Sequence, residues 1–161
     1  MSLLDNDWNK GTEELGSVEF GCKEWFEMMV GILLLMHEPL AGAFKTAVGH
    51  LFGDSLENFE AIDVKIDQNV DDVDSLARQA IRRLDSGSGV LVFTDMLGGT
   101  PANCCRLLKV ESTIVQVLAG TSLPMLLRAL TYRKEGLEEV IAKALQGGKN
   151  GAIRIDPIEA N

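Results

Sequence analysis

What this sequence lacks narrows the field first. It has three cysteines in 161 residues, Cys22, Cys104 and Cys105. An odd number, two of them adjacent, is no disulfide framework. No C-x-x-C or H-E-x-x-H spacing offers a metal site, and Cys104 and Cys105 fall in a predicted helix where small buried thiols are common. An excess of positive charge is also missing. Fifteen Lys and Arg stand against 24 Asp and Glu, a formal net charge of −9. That balance argues against nucleic acid and against an anionic membrane surface as partners. Apolar runs are broken by Gly, Pro, His and charges well short of a membrane span. The first residues are acidic and carry no apolar signal-peptide core, so a cytoplasmic location is the default expectation. Neither G-x-x-x-x-G-K-[ST] nor G-x-G-x-x-G occurs, which removes the usual support for nucleotide binding. Histidine is scarce too, with only His37 and His50.

What is present is a good core-forming composition, 46% hydrophobic, in a length that suits one domain. Residues 1–28 mix acidic and polar positions with Trp8, Phe20, Trp25 and Phe26 in no clean period, and read as an extension of open role. From Met29 onward strands and helices alternate. Val30–Met36 is a continuous apolar run, as for a strand buried on both faces. Pro39 opens a helix carrying Leu40, Phe44, Ala47, Val48 and Leu51 on one face, with Gly53 as its stop. Residues 59–66 alternate as a strand. Asp71 or Asp72 caps a helix presenting Val73, Leu76, Ala77, Ala80, Ile81 and Leu84.

Residues 90–94 form a third strand, Gly98 and Gly99 a turn, and Pro101 starts a helix to about Leu108. A fourth strand covers 113–118, helices start near Pro124 and Glu135, and Gly147-Gly148 ends the last one. Residues 152–155 read as a short final strand, leaving 156–161 as a tail. The alternation predicts an α/β fold, an open doubly wound, mainly parallel sheet with helices on both faces; right-handed crossovers leave a few strand orders, of which the flavodoxin-like order 2-1-3-4 is the one expected here. In that order the first and third strands are neighbours and their carboxyl ends form the switch-point crevice.

His37 ends the first strand and Asp95 follows the third, so this order makes them face each other. A neutral imidazole is a nucleophile near pH 7. A carboxylate on its Nδ1–H fixes the tautomer and stabilises the cation formed when Nε2 is substituted. Behind Asp95, Leu97-Gly98-Gly99-Thr100 leads into a helix N-terminus, where backbone N–H groups and the helix dipole favour an anion. The Thr100 hydroxyl can donate to a phosphate oxygen. Together these read as phosphoryl transfer through a phosphohistidine. By residue type alone, a single strand-end histidine serves equally well as a structural hydrogen-bonder, and D-x-x-G-G-T turns occur in many α/β proteins. His50, late in its helix, reads as structural.

Three segments, MVGILLLMHEPLAGAF, GVLVFTDMLGGTPANCC and VLAGTSLPMLLRAL, are similar in order and spacing to the mannose-family IIA component of the bacterial sugar phosphotransferase system. The resemblance covers residues 29–155. It implies that the phosphocarrier HPr phosphorylates His37, that Asp95 bonds the imidazole, and that Thr100 is the family's hydroxyl residue before the proline. It implies transfer onward to a IIB component, no dissociable cofactor on the IIA protein, and peripheral association with a sugar permease. A homodimer is implied as well, in which residues 152–155 join the partner's sheet.

Two positions depart from the family pattern. His37-Glu38 replaces His-Gly, and a carboxylate there repels phosphate unless it points away. Thr121-Ser122 replaces Val-Asn in the crevice wall. Three other readings stand beside this one: a regulatory IIA protein of an abbreviated branch without sugar transport, a dihydroxyacetone-kinase phosphocarrier subunit, and a receiver-like domain phosphorylated on Asp95.

Overall fold

The computed structural model describes residues 28–53 and 56–156. Four parallel strands, β1 (Gly31–His37), β2 (Phe59–Val64), β3 (Val90–Thr94) and β4 (Val115–Ala119), lie in the order β2-β1-β3-β4. The helices are α1 (Leu40–Phe52), α2 (Val70–Leu84), α3 (Thr100–Leu107), α4 (Leu123–Tyr132) and α5 (Leu137–Gly151). This is the predicted doubly wound sheet. β1 is central, which is why its sequence is apolar at every position up to Met36 rather than alternating.

Strand alternation divides the core in two. Ile32, Leu34 and Met36 of β1, with Leu91 and Phe93 of β3, meet Ala41 and Val48 of α1 and the inner residues of α4 and α5. Leu33, Leu35, Val90 and Val92 meet α2 and α3 on the other face. α1 and α3 therefore approach the carboxyl edge of the sheet from opposite sides.

Several expectations shift by a turn or less. The cap of α2 is Asn69, whose side chain accepts from Asp71 N–H at 2.8 Å; Asp71 and Asp72 instead place negative charge in the first turn. Leu76, expected on its buried face, is exposed. β2 stops at Val64, leaving Ile66 in solvent, and β4 begins at Val115.

The larger corrections lie at the C-terminal end. Gly147-Gly148 does not end α5, which runs on to Gly151. A Cβ on Gly147 would meet the Pro124 carbonyl oxygen at 2.5 Å, and one on Gly151 the Pro124 ring at 2.6 Å. These glycines let α5 lie directly on the first turn of α4, and packing outweighs their poor helix propensity. Ala152–Asp156 forms no strand within this chain, and Ile153 and Ile155 are exposed. A strand requires an edge to pair with, and none of the described residues pairs with this segment.

Candidate active site at the strand switch point

β1 ends on His37 because alternation turns that side chain to the α3 side of the sheet, out of the core filled by Met36 on the other side. The imidazole is partly exposed and its Nδ1 lies 2.7 Å from Asp95 Oδ2. A carboxylate can only accept here, so Nδ1 carries the proton and, in the neutral ring, Nε2 carries the lone pair. Asp95 is more buried than its partner. Burial pushes its carboxyl up, but the hydrogen bond from His37, backbone N–H donors and the imidazole charge outweigh burial and hold it below the usual carboxylate range.

Thr94, fully buried at the end of β3, directs its hydroxyl to Asp95 Oδ1 at a long 3.4 Å. The Thr94 carbonyl in turn accepts from the Thr121 hydroxyl at 2.7 Å, and Gly120 N–H donates to the Asp95 carbonyl at 3.1 Å. The β4–α4 turn is thus tied to the residues that carry the carboxylate.

The loop after Asp95 closes over the ring. Gly98 has φ of +92°, a conformation that a side chain strains, and Gly99 then passes against the imidazole. A Cβ on Gly99 would fall 2.5 Å from His37 Cε1 and 3.1 Å from Nε2. The nucleophilic edge of the ring accordingly faces the start of α3. No side chain caps α3, Thr100 is exposed in its first turn, and Pro101 has no N–H to satisfy. Met96 and Leu97 of the loop are exposed.

The other predicted residues divide. Glu38 is exposed, with its backbone N–H donating to the Val64 carbonyl. Ser122 sits at the N-cap of α4, yet its hydroxyl neither caps the helix nor finds any partner, although buried. His50 is exposed in the last turn of α1, away from the crevice. Cys104 and Cys105 are buried, and burial pushes the Cys105 thiol up to about 12, so it is no thiolate near neutral pH. Cys22 and the aromatic residues of the leader lie outside the described residues.

Sequence reasoning passed over Thr94, Gly99's contact with the ring, and Asp63. The last accepts from the backbone N–H groups of Ala41 and Gly42 at the head of α1, at 2.8 and 3.2 Å. Its one signal was a carboxylate at an inward position of the alternating segment FEAIDVKI.

The fold and site define the class as a doubly wound α/β protein with a histidine and a carboxylate hydrogen-bonded at the switch point, beside the start of a helix. Comparison specifies the family. The family model described as EIIA-man, PTS system fructose IIA component, matches residues 31–145. The chain belongs to this mannose-type IIA family of the phosphotransferase system. It is 28% identical over 136 residues, 82% of its length, to the PTS system mannose-specific EIIAB component of Escherichia coli K12, of which it spans only 42%. It is 34% identical over 98 residues to the PTS system sorbose-specific EIIA component of Lacticaseibacillus casei, covering 60% of this chain and 68% of that one. Among solved structures, the mannose/sorbose specific IIA subunit from Enterococcus faecalis superposes with a TM-score of 0.71 at 20% identity, over 83% of this chain and all of that one. The phosphotransferase system component EIIA from Streptococcus agalactiae gives 0.70 at 23% identity, over 78% and 97%. These two likenesses establish the fold. Among the described residues no helix is long and apolar enough to cross a membrane.

Proposed function

We propose that this protein is a phosphocarrier that takes a phosphoryl group from phospho-HPr onto His37 Nε2 and passes it to a IIB component. The observation that carries the reading is the 2.7 Å bond between His37 Nδ1 and Asp95, which leaves Nε2 as the free nucleophile beside Gly99. The Nε2 lone pair attacks the donor's phosphorus as the donor's N–P bond breaks, and the donor imidazole leaves with that electron pair. The Nδ1 proton stays between His37 and Asp95, whose charge offsets the cationic character of the substituted ring. The phosphoryl oxygens sit against the Leu97–Thr100 loop, where Gly98 and Gly99 allow close backbone approach and the Thr100 hydroxyl can donate. Such a transfer depends on position and charge stabilisation more than on covalent chemistry by the protein.

An open apolar groove of about 260 Å³ supports docking of a protein partner. It is lined by Leu40, Ala43, Phe44, Ala47 and Leu123 and begins three residues beyond His37. A second copy of the chain is the partner proposed for the edge of β4 that no described residue pairs with, with Ala152–Asp156 adding to it as a strand through Ile153 and Ile155. Sedimentation of the full chain and of a chain ending at Gly151 tests this: loss of a dimer on truncation supports it, and an unchanged state removes it.

The site itself is tested by incubating the chain with phosphoenolpyruvate, enzyme I and HPr, then measuring intact mass and adduct stability. One phosphoryl group that is acid-labile, alkali-stable and mapped to His37 is expected. An adduct labile to both acid and alkali would place the phosphate on a carboxylate and favour the receiver-like reading of Asp95. Exposed Glu38 beside His37 gives the regulatory reading its support, since a neighbouring carboxylate disfavours the phosphorylated form. Transfer from the phosphorylated chain to a IIB protein decides between transport and regulation.

A further inference from the structure

The chain runs from His37 and from Asp95 into two helix N-termini, one on each face of the sheet. α3 begins after β3 and α1 begins after β1, each with backbone N–H groups that the helix cannot satisfy. Both ends attract negative charge by the same dipole. They differ in what already occupies them.

The head of α1 holds a carboxylate from the protein itself. Asp63 stands in register with Met36 at the end of β2, so alternation points it to the α1 face, opposite to His37. Its Oδ1 accepts from Ala41 N–H at 2.8 Å and Gly42 N–H at 3.2 Å, and its Oδ2 accepts from Gly42 N–H at 3.2 Å. Pro39, at the N-cap position, makes no side-chain cap of its own. Gly42 matches the carboxylate in shape, since a Cβ there would lie 2.9 Å from Oδ2. Among the described residues, no side chain occupies the head of α3 in this way.

We propose that Asp63 is a positioning residue for phosphoryl transfer: it fills the N-terminus of α1 and so leaves the N-terminus of α3 as the open anion site of the two helices that follow His37 and Asp95. The proposal rests on the phosphocarrier reading for its consequence, not for its geometry. An arriving phosphoryl group meets two helix ends that would otherwise compete for it. With α1 neutralised, the group is drawn to the Gly99–Thr100 side, where Nε2 lies. The same bonds anchor α1 where it follows Glu38-Pro39, and so hold the turn that begins at His37.

The test is a backbone amide NMR titration of the full chain with inorganic phosphate, in wild type, Asp63→Asn and Gly42→Ala. Asparagine keeps the size but loses the charge and one acceptor, and the alanine methyl pushes the carboxylate from its seat. In wild type the Ala41 and Gly42 amides are expected to stay unmoved by phosphate, whereas in both variants they shift with it. Movement of those two amides in wild type would overturn the proposal, and so would their remaining unmoved in a folded variant.

Transfer from phospho-HPr is the second readout. Asp63→Asn is expected to lower kcat/KM about tenfold, the scale of a small misplacement of reacting groups. An unchanged kcat/KM would remove Asp63 from the reaction even if the amides respond. If neither wild type nor variant is phosphorylated, the phosphocarrier reading fails while the amide titration still decides what fills α1.

Discussion

The β1–α1 and β3–α3 connections are the same device built to opposite ends. Each runs from a buried strand through a polar residue into a helix that begins next to a proline. After His37 the chain turns at once into α1, whose first amides are closed by Asp63. After Asp95 a glycine-containing loop with exposed Met96 and Leu97 precedes α3, whose first amides are uncapped. One junction is closed and contributes the imidazole; the other is open and contributes the carboxylate that accepts from it. The difference teaches that a shared strand-turn-helix pattern does not make two equivalent sites, because occupancy of the helix end is decided by a residue from a third element.

The largest effect is expected from removing the proposed nucleophile. His37→Ala is expected to abolish labelling by the phosphoenolpyruvate–HPr system, whereas His50→Ala, at the far end of α1, labels as wild type; equal labelling of His37→Ala and wild type would end the phosphohistidine reading. Next is the carboxylate on the open side. Asp95→Asn is expected to slow transfer by roughly a hundredfold, since it disturbs the tautomer and the charge behind the ring. Rapid-quench rates with unchanged circular dichroism would separate this from unfolding.

Gly99→Ala sharpens the comparison further. The added methyl must displace the imidazole, so transfer is expected to fall about tenfold, while Tm stays within a few degrees of wild type. A full rate would mean that the ring does not work in the orientation described. Asp95 also gives a pH signature. Its carboxyl is held below the usual range, so the stability it contributes is complete above the ordinary carboxylate pKa and is lost as pH falls through the lowered folded value. Acid unfolding curves of Asp95→Asn should be flatter than wild type in that window; parallel curves would deny the coupling. The smallest expected effect concerns the thiols: Cys104 and Cys105 should resist alkylation at neutral pH until the protein is unfolded, as mass spectrometry can count.

Much of the fold was legible because β1 and β3 are unbroken apolar runs and each is followed by a helix with a proline start. The alternation and right-handed crossovers left a few strand orders open; the flavodoxin-like order 2-1-3-4 among them is the one observed, and it brings His37 and Asp95 to one crevice. The end of α5 was not legible, because Gly147 stays helical against the backbone of Pro124 and Gly148 against the side chain of Met125, contacts with α4 that no local signal announces. The cap of α2, Asn69, lies two or three residues before the expected Asp71 or Asp72 because Asn, Asp and Asp all satisfy the same local preference there. Ala152–Asp156 alternates as a strand in sequence, but a strand exists only where an edge receives it.

The sequence by itself determined the element order, the two buried strand runs and the residue types at their ends, since these depend on local periodicity and on short-range turn chemistry. Only the tertiary structure decided which helix end is closed. Asp63 is separated by 22 positions from the amide of Ala41 that it caps. Hydrogen bonds of that kind depend on where β2 pairs with β1 and on which face each side chain then points, and neither is written in the residues beside the helix.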